Sequence, residues 1–134
     1  MAKPYILWHD AVITAANEDM DGTGTVTFIG KPVDEDIFVD QIFGRPIGAN
    51  VASLARLWVN NGDSHETAAN NTFLTEKELP STLALDHDVA YVPQVVITRL
   101  ELPANHRLLI TLGTAVTAGW RFTALTGDHY RSTS

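Results

Sequence analysis

The residues of this chain best suited to chemistry are Asp86, His87 and Asp88, which follow one another directly. Carboxylates and imidazoles bind divalent metals, and a His beside an Asp is also part of many hydrolytic sites. In an extended segment, neighbouring side chains point to opposite faces, so these three cannot converge on one ion without a tight turn. A hydrolase would also need a nucleophile, and the sequence has no Gly-x-Ser-x-Gly elbow. We therefore interpret this run as a solvated loop.

A second acidic run, residues 19–24, resembles the first half of a calcium-binding loop. An EF-hand needs a further acid or amide before its glycine and a glutamate near the twelfth position, and neither is in register here. Gly22 and Gly24 also lack the third glycine and the following helix of a dinucleotide site. The run is therefore predicted to be a turn between strands, in which both glycines are free to adopt positive φ.

The histidines show no metal-binding or catalytic spacing. They lie in separate segments, without a His-x-His or His-x-x-x-His pair: His9, His65, His87, His106 and His129. Zinc sites draw on such pairs or on cysteine, and the chain has no Cys. We therefore predict no metal site, no cofactor and no catalytic residue, and we do not predict an enzyme.

The three tryptophans are the other conspicuous side chains. A carbohydrate-binding platform exposes Trp, whereas the core of a β-sandwich buries it. Trp120 stands at the start of a strand and is predicted to be buried. Trp8 lies in the N-terminal segment, where burial against a neighbouring subunit would contribute about 2–3 kcal/mol. Trp58 shares a strand face with Leu54 and Arg56, a mixture that suits a contact surface.

The side chains discussed above lie on or between short runs with the composition of β-strands, which are separated by turns. The runs cover residues 25–29, 37–43, 51–59, 72–79, 94–102, 107–112 and 119–125. Turns rich in Gly, Asn, Asp or Pro separate many of them, and their regular spacing predicts an all-β antiparallel sandwich of about eight strands. The polar stretch 62–71 is predicted to be a surface loop.

Alternation along the runs predicts which side chains form the core. In the run 51–59, for example, Ala55, Leu57 and Val59 share one face, while Arg56 and Trp58 share the other. Across the chain, we expect these residues to be buried: Val26, Phe28, Val39, Ala55, Leu57, Val59, Val96, Leu100, Leu109, Phe122 and Leu125.

Length and charge narrow the class of protein. A chain of 134 residues fits one domain, and a hydrophobic share of 45% is ordinary for a folded one. The formal net charge of −7, with Lys and Arg scattered singly, argues against a nucleic-acid partner. No apolar stretch approaches the ~20 residues of a membrane span, and His9 and Asp10 interrupt the apolar start before it forms a signal peptide. We expect neither nucleic acid nor a membrane as a partner.

Four segments together resemble a family of small virion-associated proteins of tailed bacteriophages. They are residues 21–26 (Asp-Gly-Thr-Gly-Thr-Val), 55–62 (Ala-Arg-Leu-Trp-Val-Asn-Asn-Gly), 102–109 (Leu-Pro-Ala-Asn-His-Arg-Leu-Leu) and 119–130 (Gly-Trp-Arg-Phe-Thr-Ala-Leu-Thr-Gly-Asp-His-Tyr). The resemblance runs in order from about residue 16 to residue 130, and the chain departs from it at 62–71 and 81–93. It implies a jelly-roll-like sandwich that sits on the virion and has no catalytic residues.

The same resemblance implies a function. It suggests a capsid cement or decoration protein, assembled in the host bacterial cytoplasm, that acts as a homotrimer on the major capsid protein. The alternative is a tail-fibre or tail-tip module that binds a host surface glycan or protein. A small hydrolase of cell-wall sugars is a third class, without a motif to support it.

Residues 1–16 are predicted to be an N-terminal arm ahead of a single domain, 17–134. Tyr5, Leu7 and Trp8 make the arm apolar, and its alternation is poor for an internal strand. An arm that folds onto a neighbouring subunit or the capsid shell would bury these side chains. The alternative is that the segment is the first strand of the sandwich. Together with Arg56 and Trp58, these three residues are the predicted assembly contacts.

Overall fold

The structure is a computed structural model that describes residues 6–9, 12–17, 19–29, 34–83 and 93–127. It contains one short 3-10 helix, Ala68–Asn70, and eight strands: β1 (Ile6–His9), β2 (Thr27–Ile29), β3 (Ile37–Pro46), β4 (Ser53–Asn60), β5 (Asn71–Leu79), β6 (Gln94–Leu102), β7 (Arg107–Leu112) and β8 (Trp120–Gly127). Within the described ranges, no helix is long and apolar enough to cross a membrane.

The strands form two four-stranded antiparallel sheets. The first sheet has the order β1-β8-β3-β6, and the second has the order β2-β7-β4-β5. The first strand thus pairs with the last, the second with the seventh, the third with the sixth and the fourth with the fifth. This nested pairing divided between two sheets is the strand order of a jelly roll. The prediction of an antiparallel jelly-roll-like sandwich of about eight strands is confirmed.

The core lies between the two sheets and is almost entirely aliphatic. Its members come from the inward positions of the strands and from two connecting segments: Ile13, Ile29, Val39, Ile42, Ala55, Leu57, Leu79, Val96, Leu102, Leu108, Ile110, Leu112, Val116, Trp120, Phe122 and Ala124. Trp120 is fully buried, as predicted. Alternating burial along strands such as β4 produces this arrangement, because successive side chains point to opposite faces of a sheet.

Most of the predicted core residues are buried. Val39, Ala55, Leu57, Val96 and Phe122 belong to the core and are at most 9% exposed. Leu109 is fully buried too, but on the outer face of the second sheet, opposite Phe28 and Trp58. Val59 and Leu100 are half-buried and pack against the core.

Three predictions of burial are wrong, because the apolar runs concerned allow either alternation. Ile29, not Phe28, enters the core from β2, and Val26 is half-buried ahead of that strand. A strand of three residues is too short for its sequence to show which face is buried. Leu125 is half-buried between the inward-facing Ala124 and Thr126. Residues 122 and 125 are an odd number of positions apart, so they cannot share one face of a regular strand.

The N-terminal segment belongs to the sandwich at the positions that the structure describes. Ile6 is opposite Thr126 and Trp8 is opposite Ala124, so β1 forms an edge of the first sheet. Farther along, Ile13 forms an isolated bridge to Trp120 and is 5% exposed. The predicted arm is therefore corrected: residues 6–9 are the first strand, which is the alternative stated above. Hydrogen bonding to β8 pairs the backbone groups on one side of this strand, which compensates for the poor alternation.

Candidate functional site

The two predicted contact residues of β4 lie on the outer face of the second sheet. Ala55 and Leu57 point into the core, so Arg56 and Trp58 face outward. Trp58 is nevertheless only 4% exposed. Its indole Nε1 donates a hydrogen bond to the hydroxyl of Thr111 at 3.3 Å. Trp58 is therefore buried within its own chain, and almost none of its surface is available to a partner.

Phe73, which sequence reasoning missed, is the aromatic residue that this face presents to solvent. It is 46% exposed, and its ring meets that of Trp58 edge-on, with the centroids 5.2 Å apart. A bulge shifts the register of β4 with β5, so that Thr75 is opposite Leu57 but Phe73 is opposite Trp58. Neither strand contains Gly or Pro, so the sequence gives no signal for the bulge.

Arg56 is half-buried beside these rings. Glu76 of β5 and Thr111 of β7 are opposite it in register. Its guanidinium lies over Gly113, where a Cβ atom would be 3.5 Å from Nη1. The Nε atom is buried and has no hydrogen-bond acceptor among the described residues. Packing thus fixes this side chain, and only part of it is accessible to a partner.

Polar side chains join the turn at 19–24 to the loop between β4 and β5. We call this network the clamp and define it as Asp21, His65, Glu66 and Asn71. The Glu66 carboxylate accepts a hydrogen bond from the backbone N–H of Gly24 at 2.7 Å, and His65 Nε2 lies 3.0 Å from the Gly24 carbonyl oxygen. Asn71 Nδ2 donates to the carbonyls of Asp21 and His65. The clamp therefore fixes two loops against each other.

Asp21 organises the turn within the clamp. Its Oδ1 accepts hydrogen bonds from the Thr23 hydroxyl at 2.6 Å and from the Thr23 N–H at 3.1 Å. Because both bonds favour the charged carboxylate, they hold the pKa of Asp21 below its usual range. Gly22 and Gly24 have φ angles of +83° and +84°, as the sequence predicted. The run that resembles half of a calcium loop is a turn closed by its own hydrogen bonds.

Phe28 packs beneath the same loops, which explains why it faces outward. The guanidinium carbon of Arg107 lies 4.2 Å from the centroid of its ring, and the His65 ring meets it edge-on at 5.4 Å. Arg107 Nε also donates to Asn60 Oδ1 at 3.0 Å, and Asn60 is fully buried. His65 Nε2 is 3.1 Å from the Glu66 carboxylate. These polar groups engage one another, an arrangement that stabilises loops rather than activating a nucleophile.

The remaining predicted residues are placed as follows. In the described part of the chain, no group of three His, Asp or Glu residues is arranged to hold a metal ion. The run 86–88 lies outside the described residues, as does Tyr5. Leu7 and Trp8 are described only as backbone positions of β1.

A groove with a volume of about 760 Å³ lies where the end of β5 approaches the start of β6. Its lining mixes polar and apolar side chains: Ala52, Ser53, Leu54, Lys77, Glu78, Leu79, Pro80, Gln94 and Thr114. Ser53 and Thr114 are tied together, because the Ser53 hydroxyl donates to the Thr114 carbonyl and accepts from its N–H. The groove is open to solvent, and its lining exposes more apolar than polar surface.

The outer face of the first sheet carries two arginines directly opposite each other. Arg45 of β3 and Arg121 of β8 are paired in register, and both are exposed. Phe43 is next on the same face of β3 and is half-buried, and Val95 opposite it is 40% exposed. We call Phe43, Arg45, Val95 and Arg121 the arginine face. It combines positive charge with accessible apolar surface.

The opposite end of β3 is acidic. Asp34, Glu35 and Asp36 directly precede the strand, and all three are exposed. Asp36 Oδ1 accepts a hydrogen bond from the Ala104 N–H at 2.9 Å, which anchors this acidic segment to the turn between β6 and β7. β3 therefore connects an acidic end to a basic face.

Neither a family model nor a curated protein matches this chain.

Proposed function

We propose that this protein is a structural subunit of a tailed-bacteriophage virion, a cement or decoration protein that stabilises the head as a homotrimer bound to the major capsid protein. The main support for the proposal is the nested strand order of a jelly roll. It is combined with the resemblance of four sequence segments to virion proteins. Jelly rolls are common among viral capsid domains, so the fold supports this function by analogy.

The surfaces of the domain support an assembly role on physical grounds. Phe73 is exposed on the outer face of the second sheet, and the arginine face lies on the outer face of the first. A subunit with accessible apolar side chains on both outer faces can bind another copy of itself through one face and the capsid shell through the other. Stable interfaces bury about 1,200–2,000 Å² in total, about half of it on each partner.

Virions that lack the protein test the proposal. Under the cement function, heads without it are expected to rupture at lower temperature than wild-type heads, and purified protein added back is expected to restore their stability. The protein is also expected at a copy number comparable to that of the major capsid protein. Equal stability with and without the protein, or a copy number in the range of a tail component, would contradict the proposal.

A single substitution makes the test sharper. Phe73→Ser removes exposed apolar surface together with the ring contact to Trp58, so it is expected to lower the melting temperature of the isolated protein by a few degrees without unfolding it. The same change is expected to weaken binding to heads at least several-fold if the second sheet contacts the shell. Thr72→Ser, at the exposed neighbouring position on β5, is the matched control and is expected to bind normally.

The groove beside β5 and β6 favours the second candidate, a tail module that binds a host surface glycan. Lys77, Glu78 and Gln94 offer charged and amide groups of the kind that bind sugar hydroxyls. In this case, soluble protein would bind host cells or their isolated surface polysaccharide, and Lys77→Ala would abolish binding. Thermal rupture of the heads would then not depend on the protein.

A further inference from the structure

The arginine face contains an electrostatic conflict that the described part of the chain does not resolve. Arg45 and Arg121 stand directly opposite each other, and like charges at such positions destabilise an antiparallel pair. Neither guanidinium has a carboxylate within ion-pair distance among the described residues. A cationic pair of this kind is favourable when a partner brings negative charge to it.

Each copy of the chain carries that negative charge at the other end of β3. The acidic segment 34–36 and the arginine face are separated by about nine strand residues, or roughly 30 Å. This separation is several times the Debye length of about 8 Å at physiological ionic strength, so the two regions of one molecule do not neutralise each other. They do complement each other between molecules.

We propose that copies of this chain associate head to tail, with the acidic segment 34–36 of one copy docked on the arginine face of the next. The contact joins Asp34 and Glu35 of one copy to Arg45 and Arg121 of its neighbour and covers Phe43 and Val95. Because the two surfaces differ, the interface is heterologous and propagates in one direction, and it closes into a ring when the rotation per copy divides a full turn. The inference deepens the proposed function, on which it rests for the expectation of a homotrimer.

Charge reversal in the isolated protein tests the proposal. Sedimentation velocity is expected to show wild-type protein as an oligomer whose dissociation constant rises at least tenfold between 0.05 M and 1 M NaCl. The double variant R45E/R121E and the double variant D34K/E35K are each expected to sediment as the 14.6 kDa monomer. The quadruple variant, which exchanges the two charges, is expected to regain the oligomer.

The rescue distinguishes a direct contact from a general effect of net charge. The two double variants shift the net charge in opposite directions, whereas the quadruple variant leaves it unchanged. All substituted positions are exposed, and circular dichroism melts verify that each variant is folded. If a charge reversal does unfold the chain, the neutral pair R45Q/R121Q replaces it and is expected to weaken the oligomer.

Three outcomes would overturn the inference: a wild-type monomer at all concentrations, double variants that keep the wild-type oligomer, or a folded quadruple variant that stays monomeric. Salt-sensitive retention of monomeric wild-type protein on heparin, lost in R45E/R121E, would assign the arginine face to an anionic polysaccharide instead. Failure here is separable from failure of the proposed function. Heads stabilised by monomeric protein would refute the head-to-tail contact and the homotrimer but not the cement function, whereas an oligomer that leaves heads unchanged would refute only the cement function.

Discussion

Replacing Trp120 with alanine is expected to lower the free energy of unfolding by about 3–5 kcal/mol, as other truncations of large aromatic side chains in cores do. Trp120 is fully buried in the cluster between the sheets, where it joins the start of β8 to the segment around Ile13. Urea denaturation followed by circular dichroism measures the change. A loss below about 1 kcal/mol would show that this part of the core does not pack as described.

Replacing Trp58 and Trp120 with phenylalanine separates the contribution of side-chain packing to stability from that of the indole hydrogen bond. Nε1 of Trp120 is buried and has no acceptor among the described residues, whereas Nε1 of Trp58 bonds to the buried Thr111 hydroxyl. Trp120→Phe removes a buried donor that has no partner, while Trp58→Phe leaves the hydroxyl of Thr111 without its partner. We therefore expect Trp58→Phe to cost about 1–2 kcal/mol more than Trp120→Phe. The opposite order would contradict the hydrogen-bond assignment.

Replacing Asn50 with alanine is expected to cost about 3–4 kcal/mol, since it removes a buried hub of hydrogen bonds. The Asn50 side chain is 5% exposed and accepts from the N–H groups of Ala118 and Gly119 at 3.0 and 2.7 Å. Its Nδ2 donates to the carbonyls of Gly48 and Gly119 and to the Thr82 hydroxyl. The amide thus connects three loops at one end of the sandwich, and its loss leaves the buried N–H of Gly119 unpaired.

The matched control for this change is Asn61→Ala. Asn61 is also a loop asparagine with side-chain hydrogen bonds, to Asn70 and to the N–H of Asp63, but it is exposed. Water replaces its lost partners, so the cost is expected to be below about 1 kcal/mol. Similar costs for the two alanine variants would show that burial of Asn50 does not matter. Thermal and urea unfolding of both variants provide the comparison.

The strand limits predicted from the sequence are most accurate where a strand ends next to Pro or Gly, because these two residues alter the backbone conformation. β6 ends at Leu102, next to Pro103, and β7 ends at Leu112, next to Gly113; both strands have their predicted limits. β3 was predicted to end before Gly44 but continues to Pro46. A Cβ atom at Gly44 would approach the Phe122 ring to 2.6 Å, so this glycine permits close packing instead of ending the strand.

The contact surfaces were beyond sequence reasoning, because they depend on register. Arg45 and Arg121 are distant in sequence and meet only through the pairing of β3 with β8. Phe73 is brought to Trp58 by a bulge that the composition of β4 and β5 does not signal. Arg56 and Trp58 were correctly placed on a face other than the core, but alternation does not show that Trp58 is covered by its own chain. Local patterns predict faces, and tertiary contacts decide what remains exposed.

The nested pairing also determines when the protein can fold. Among the strand pairs that the structure describes, only β4 and β5 follow each other directly in sequence, so this innermost hairpin has the smallest loop to close. Each further pair encloses the one before it, and β1 pairs with a strand near the opposite end of the chain. A topology dominated by such distant contacts folds slowly, over milliseconds to seconds. β1 can therefore find its partner only after β8 has been synthesised, and until then its edge stays open to other chains.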